Sequence, residues 1–117
     1  MQNLIKQMML CVALVMAPSV WAEVPGVEKC KFPDTPTMVD GATSSQEQMV
    51  AMGSAVRSFV GDMQASLECI DAVEAKLGED ITPEQKASLN YLYNNGVDQM
   101  QAIAETYNEQ ARVFKAR

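Results

Sequence analysis

The side chains with the most definite chemistry in this 117-residue sequence are its three cysteines, at positions 11, 30 and 69. Cys30 and Cys69 are too far apart for the Cys-x-x-Cys pair of a redox enzyme, and such a separation is typical of a structural disulfide. The alternatives are an intermolecular bridge or a free redox pair. The choice depends on the compartment, because disulfides persist in oxidising environments.

The first 22 residues indicate that compartment, because they have the three parts of a secretory signal peptide. Residues 1–7 are weakly cationic, and residues 8–16 form an apolar run too short to remain as a membrane-spanning helix of about 20 residues. A signal peptidase accepts the residues Val20-Trp21-Ala22, so we predict cleavage between Ala22 and Glu23. A retained membrane anchor is the alternative.

Cleavage would remove Cys11 and leave one pair of cysteines in the exported chain. We therefore predict an intramolecular disulfide between Cys30 and Cys69. The predicted location is the periplasm, with the extracellular space as the alternative.

The rest of the sequence offers little catalytic material. It has no histidine, the commonest general base, and no glycine-rich loop that could bind a phosphate. The acidic side chains Glu68, Asp71 and Glu74 have the spacing of a solvated helix face. We predict no catalytic residue and a protein that is not an enzyme, with an acid-only active site as the remaining enzymatic alternative.

Two groups of side chains have metal-binding chemistry. Thioethers suit Cu(I), and Met49 and Met52 are three residues apart, but both belong to an apolar row that predicts core packing. Glu79, Asp80 and Glu84 could hold a divalent cation weakly, although no loop has the ligand spacing of a calcium site. We predict no metal and no cofactor, and weak metal binding stays an alternative.

The charge balance restricts the partners. The complete sequence has 9 basic and 15 acidic residues, and only Lys6 of these lies in the predicted signal peptide, so the mature chain has a net charge of −7. This balance disfavours nucleic acid and, after signal removal, anionic membrane surfaces. A protein partner or a second copy of the chain remains.

Residues 23–42 are predicted to form an extended arm. This segment has no helical periodicity and contains the turn-forming and extended-backbone residues Pro25, Gly26, Pro33, Pro36 and Gly41. A helical region, residues 43–117, follows it.

The first predicted helix runs from about residue 44 to residue 77. Its apolar side chains recur at the alternating three- and four-residue spacing of a heptad seam, with Ser66 off the pattern; they are Met49, Met52, Val56, Phe59, Met63, Ile70, Val73 and Leu77. Thr43 and Ser44 are candidate N-caps, and Ser44 with Glu47 predicts a capping box. Gly78 marks the end of the helix.

The second predicted helix runs from about residue 83 to residue 114. Thr82, Pro83 and Gln85 have the pattern of an N-cap, a first helical residue and the third residue of a capping box. A second apolar seam follows, consisting of Leu89, Tyr93, Gly96, Met100, Ile103, Tyr107, Ala111 and Phe114. The run Asn94-Asn95-Gly96 could break the helix, but the seam stays in phase, so a continuous helix is predicted.

Two long helices with a short connection predict an all-α fold, a long antiparallel coiled-coil-like hairpin. Reflection about the loop predicts the facing pairs Met63–Gly96, Phe59–Met100, Val56–Ile103 and Ile70–Leu89. The extended arm from Thr43 back to Cys30 is about as long as the helix from Thr43 forward to Cys69. The arm is therefore predicted to run back along the first helix and to be joined to it by the disulfide. Its apolar residues, Phe32, Pro33, Pro36, Met38 and Val39, would then cover Val50, Val60 and Leu67.

Two stretches carry family resemblances. Cys30-x-x-Pro33-x-x-Pro36-x-x-x-Asp40-Gly41, followed by a capped helix with a second cysteine, resembles small exported proteobacterial proteins of unassigned function. Ile81-Thr82-Pro83-Glu84-Gln85 resembles the Leu-Thr-x-x-Gln element of spheroplast-protein-Y type periplasmic chaperones, which are all-helical dimers with a concave client-binding face. The second resemblance implies client binding.

The sequence therefore predicts a non-enzymatic periplasmic protein with a structural or protein-binding role. The second hypothesis is a holdase-like chaperone or stress protein. The third is an acid-only enzyme or a weak metal binder.

Overall fold

The computed structural model describes residues 23–117, and the predicted signal peptide with its cleavage site after Ala22 lies outside the described residues. Two long helices dominate this part of the chain: α1 is Gln46–Leu77 and α2 is Pro83–Lys115. Short 3-10 turns occupy Val27–Lys29 and Gly78–Asp80, and residues 23–117 contain no strand. The fold is the predicted all-α hairpin with an N-terminal arm.

The start of α1 differs from the prediction. Ser45 is the N-cap, because its Oγ accepts the Gln48 N–H at 3.1 Å while the Gln48 Oε1 accepts the Ser45 N–H at 2.8 Å. The predicted caps at Thr43 and Ser44, and the Ser44–Glu47 box, are wrong. Both residues belong to a turn before the helix, in which their N–H groups donate to the Asp40 carbonyl.

The start of α2 has the predicted capping box, formed by Thr82 and Gln85 with Pro83 in the first turn. The helix is continuous through Asn94-Asn95-Gly96. Gly96 is buried, and a Cβ built on it would lie 3.1 Å from Met63 Sδ and 2.8 Å from Leu67 Cδ2. The glycine therefore serves close helix packing, and the predicted facing of Met63 and Gly96 is confirmed.

The core consists of two clusters along the hairpin. The loop-end cluster contains Val24, Phe59, Met63, Leu67, Ile70 and Leu89. The free-end cluster contains Met49, Met52 and Val56, with Tyr107, Ala111 and Phe114 packed against it. Met49 and Met52 are thus buried core residues, as their place in the seam predicted.

The arm runs the length of the hairpin and contacts both helices. It begins near the loop, where the Glu23 carbonyl accepts a hydrogen bond from Gln85 Nε2 at 3.2 Å and Val24 is buried. It ends near the free ends of the helices, where the Gly41 N–H donates to Gln110 Oε1 at 2.8 Å. Its direction is therefore opposite to that of α1.

One part of the predicted arm packing is wrong. Val50 is 63% exposed and is not covered by the arm. It lies about 160° around α1 from Ser66, which bonds the arm, because successive helical residues turn by about 100°. Val60, about 120° from Ser66, also lies away from the arm, so its predicted covering is wrong too. Met38 and Val39 instead pack on the free-end cluster, and the Val39 N–H donates to Met52 Sδ at 3.3 Å.

Candidate interaction surfaces of the hairpin

The disulfide links the arm to α1 within one chain. Cys30 follows the first 3-10 turn, Cys69 lies on α1, and their Cα atoms are 5.4 Å apart. This separation is ordinary for a disulfide. The predicted pairing is confirmed.

Ser66 forms a second link beside the disulfide. Its Oγ donates to the Lys31 carbonyl at 2.6 Å, and it is 7% exposed. The same hydroxyl lies 3.0 Å from the Asp62 carbonyl on its own helix. The one serine that broke the apolar seam therefore binds the arm backbone, a role that its position three residues before Cys69 could have suggested.

A third link closes the free end of the hairpin. The Arg117 guanidinium donates to the carbonyls of Gly41 and Ser44, and it lies 5.0 Å from the centre of the Phe114 ring. Gly41 is buried so close to the Gln110 carbonyl that a Cβ would collide with it. Neither Gln110 nor Arg117 could be recognised from the sequence, because both contact residues about 70 positions away.

A groove lies beside the arm at the loop end. It has a volume of about 450 Å³ and an apolar floor that includes Pro25, Val73 and Leu77. Lys29 and Lys76 are also among its lining residues. The arm thus forms one wall of the groove.

The side of the hairpin turned away from the arm has a different groove, which we call the open groove. Its volume is about 420 Å³. Its walls are Gln64, Leu67, Glu68 and Asp71 of α1 and Tyr93, Val97 and Met100 of α2. One wall is therefore acidic and the other is mainly apolar.

The second seam is less covered than the first. On α1 nine residues are buried, whereas on α2 only Leu89 and Gly96 are. The other α2 seam residues are partly exposed; they are Tyr93, Met100, Ile103, Tyr107, Ala111 and Phe114. The α2 side of the hairpin thus retains apolar surface that the arm does not cover.

The carboxylates singled out in the sequence do not converge into a site. Glu68 and Asp71 are exposed and Glu74 is partly exposed, and Glu79 and Asp80 lie exposed in the turn between the helices. No three His, Cys, Asp or Glu side chains within residues 23–117 are placed so that they could hold a metal ion. The geometry assigns these groups no shared chemistry.

Comparison of the chain with models of known families, with curated proteins and with solved structures finds no significant match. No helix within residues 23–117 is both long and apolar enough to cross a bilayer.

Proposed function

We propose that this protein is an exported, non-enzymatic protein-interaction module that acts in the periplasm. The observation that carries the proposal is the asymmetry of the hairpin. One side is covered by a stapled arm, whereas the side with the open groove keeps partly exposed Tyr93, Val97 and Met100. Partly exposed apolar side chains beside polar ones are a feature of protein-binding sites.

Export is the first part of this proposal, and mass spectrometry tests it. The protein recovered from a periplasmic extract should begin at Glu23. It should also lack tryptophan fluorescence, because the single tryptophan, Trp21, would leave with the signal peptide. Full-length protein in the membrane fraction would contradict export.

Interaction through the open groove is the second part. Cross-linking in intact cells should capture a defined partner with the wild-type protein and lose it with Val97→Glu, which places a charge in the groove. The matched control is Ala72→Glu, an exposed position in the groove beside the arm. Equal capture by both variants would show that the open groove is not the binding surface.

A holdase-like chaperone is the second candidate, supported by the apolar wall formed by Tyr93, Val97 and Met100 beside acidic residues. A holdase should suppress aggregation of an unfolding client at equimolar or lower protein concentration, and Val97→Glu should abolish the effect. A module with a dedicated partner would leave client aggregation unchanged.

A further inference from the structure

We infer that the open groove binds a second copy of this chain, so that two hairpins pack face to face with their α1 helices antiparallel. This inference deepens the proposed function, on which it rests, by naming the partner. Five residues form a row along α1 at three- and four-residue spacing: Arg57, Val60, Gln64, Leu67 and Asp71.

The structure places this row on the side away from the arm. Gln64, Leu67 and Asp71 line the open groove, and the partly buried Val60 packs against both core clusters. Arg57 is exposed and lies about 180° around α1 from Ser66, which bonds the arm. The row therefore forms the α1 border of the unpartnered side.

The two charged ends of the row have no partners of opposite charge on their own helix. The residues one turn from Arg57 are Gly53, Ser54, Val60 and Gly61, and those one turn from Asp71 are Leu67, Glu68, Glu74 and Ala75. Arg57 and Asp71 are about 21 Å apart at the helical rise of 1.5 Å per residue, too far to pair with each other. The ion pair recorded within residues 23–117 is Arg112–Glu109, on α2.

The row is self-complementary about its centre. Arg57 precedes Gln64 by seven residues and Asp71 follows it by seven. A twofold axis perpendicular to α1 at Gln64 therefore brings Arg57 of each copy to the level of Asp71 of the other, with Glu68 one turn away. The dimer therefore contains two equivalent contacts between Arg57 of one copy and the acidic end of the row on the other. Gln64 lies opposite Gln64 of the second copy.

The same axis also covers the exposed apolar surface of α2. Because Met63 packs against Gly96, residues near Gly96 are level with Gln64, and the axis passes close to Val97. Tyr93 and Met100 flank it and would pack on the second copy. The surface that α2 leaves uncovered is thus at the centre of the inferred interface.

The available area is large enough for a stable dimer. About an axis at Gln64 the two α1 helices overlap over residues 51–77, so a face two helices wide measures roughly 800 Å² at a helix diameter of about 10 Å and a rise of 1.5 Å per residue. Stable interfaces bury about 800 Å² on each partner. The resulting dimer is an antiparallel four-helix arrangement with the two arms on its outer sides.

A charge-swap series tests the inference on the oxidised mature protein, with the association constant measured by sedimentation or light scattering. Wild type should dimerise. Arg57→Glu and Asp71→Arg should each weaken dimerisation about tenfold or more. Each substitution replaces an ion pair by two like charges, and the twofold symmetry makes this happen at two places in the dimer. The double variant should recover association to within about threefold of wild type.

The chain provides a closely matched control. Asp62 and Lys76 are also 14 residues apart on α1 with one charge of each sign, but they lie on the arm side. Asp62→Arg and Lys76→Glu should leave dimerisation unchanged. Equal effects of the two series, or no recovery in the double swap, would overturn the inferred geometry.

A cysteine at the inferred axis gives an independent measurement. Gln64→Cys should be cross-linked into a covalent dimer by a short bis-maleimide, whereas Asp62→Cys should not, and circular dichroism verifies that each variant is folded. A wild-type chain that is monomeric at all concentrations would overturn the second-copy inference. Such a result would not contradict the proposed function, because the cross-linking experiment in cells detects binding of any other partner to the open groove.

Discussion

At the residue scale, the smallest side chains set how closely the three segments approach. Gly96 lets Met63 and Leu67 of α1 and Phe32 of the arm meet at one point of α2. Gly41 brings the arm backbone against the Gln110 carbonyl. The atoms nearest to Gly96 are the ends of side chains, whereas those nearest to Gly41 are backbone atoms of α2. The surroundings of Gly41 therefore have less freedom to adjust.

Gly41→Ala should therefore destabilise the protein. The new Cβ would collide with the α2 backbone, and overpacking of this kind typically costs about 1–3 kcal/mol. The matched control is Gly61→Ala, because nothing lies within 4 Å of a Cβ at Gly61. That substitution in the middle of α1 should stabilise by up to about 1 kcal/mol through helix propensity. Urea unfolding measures both changes, and a Gly41→Ala protein as stable as wild type would refute the close approach.

Ser66 is the other residue whose small size and polarity matter. Ser66→Ala removes the donor to the Lys31 carbonyl and should cost about 1 kcal/mol in the free energy of unfolding. Ser58→Ala, at an exposed position of the same helix, should change stability by less than about 0.5 kcal/mol. Equal losses for the two variants would mean that the hydrogen bond to the arm contributes nothing.

At the element scale, local signals define where each helix begins and ends. Capping boxes start α1 at Ser45 and Gln48 and α2 at Thr82 and Gln85. Gly78, with a φ of +57°, ends α1 in a conformation that favours glycine. Neither helix is held by these signals alone, because their apolar seams must be buried to stabilise them.

Phe59 and Val50 should show how unequally the faces of α1 contribute. Phe59 is 3% exposed in the loop-end cluster, and Phe59→Ala should lower the free energy of unfolding by about 3–5 kcal/mol. Val50 is 63% exposed, so Val50→Ala should change it by less than about 0.5 kcal/mol in the isolated chain. The measurement is denaturant unfolding monitored by circular dichroism. A large loss at Val50 would contradict the observed orientation of α1.

At the scale of the whole molecule, the arm is held by separate links spread along the hairpin. They include the Cys30–Cys69 bridge, the Ser66 hydrogen bond and the contacts of Gly41 with the end of α2. Between them the arm has few backbone hydrogen bonds of its own. Its order therefore depends on tertiary contacts, whereas each helix satisfies most of its own backbone.

Reduction of the disulfide, or Cys30→Ser, should release the arm before the helices unfold. The bridge closes a loop of about 40 residues and contributes roughly 4 kcal/mol in the chain-entropy model, so the melting temperature should fall. Trypsin should then cut first after Lys29 and Lys31, and later after Arg57 within α1. The double variant that also carries Cys69→Ser should behave like the single one. An arm that stays resistant after reduction would show that packing alone holds it.

The sequence by itself determined the helices and their covalent connection. Heptad spacing, the Thr82 cap and Gly78 all act within a few residues, so they can be recognised without any tertiary information. The pairing of Cys30 with Cys69 followed because only two cysteines remain outside the predicted signal peptide. The hairpin could be predicted from the sequence as well, because two long helices joined by a short loop pack antiparallel.

Only the tertiary structure decided how the arm lies on the hairpin and which side stays open. The contacts of Ser66 with Lys31 and of Arg117 with Gly41 join residues 35 and 76 positions apart, and no local pattern specifies such pairs. The early turn at Asp40 displaced the first cap to Ser45, and the orientation of α1 left Val50 exposed. The physical reason is that capping and periodicity are local interactions, whereas the position of the arm depends on the packed shape of both helices together.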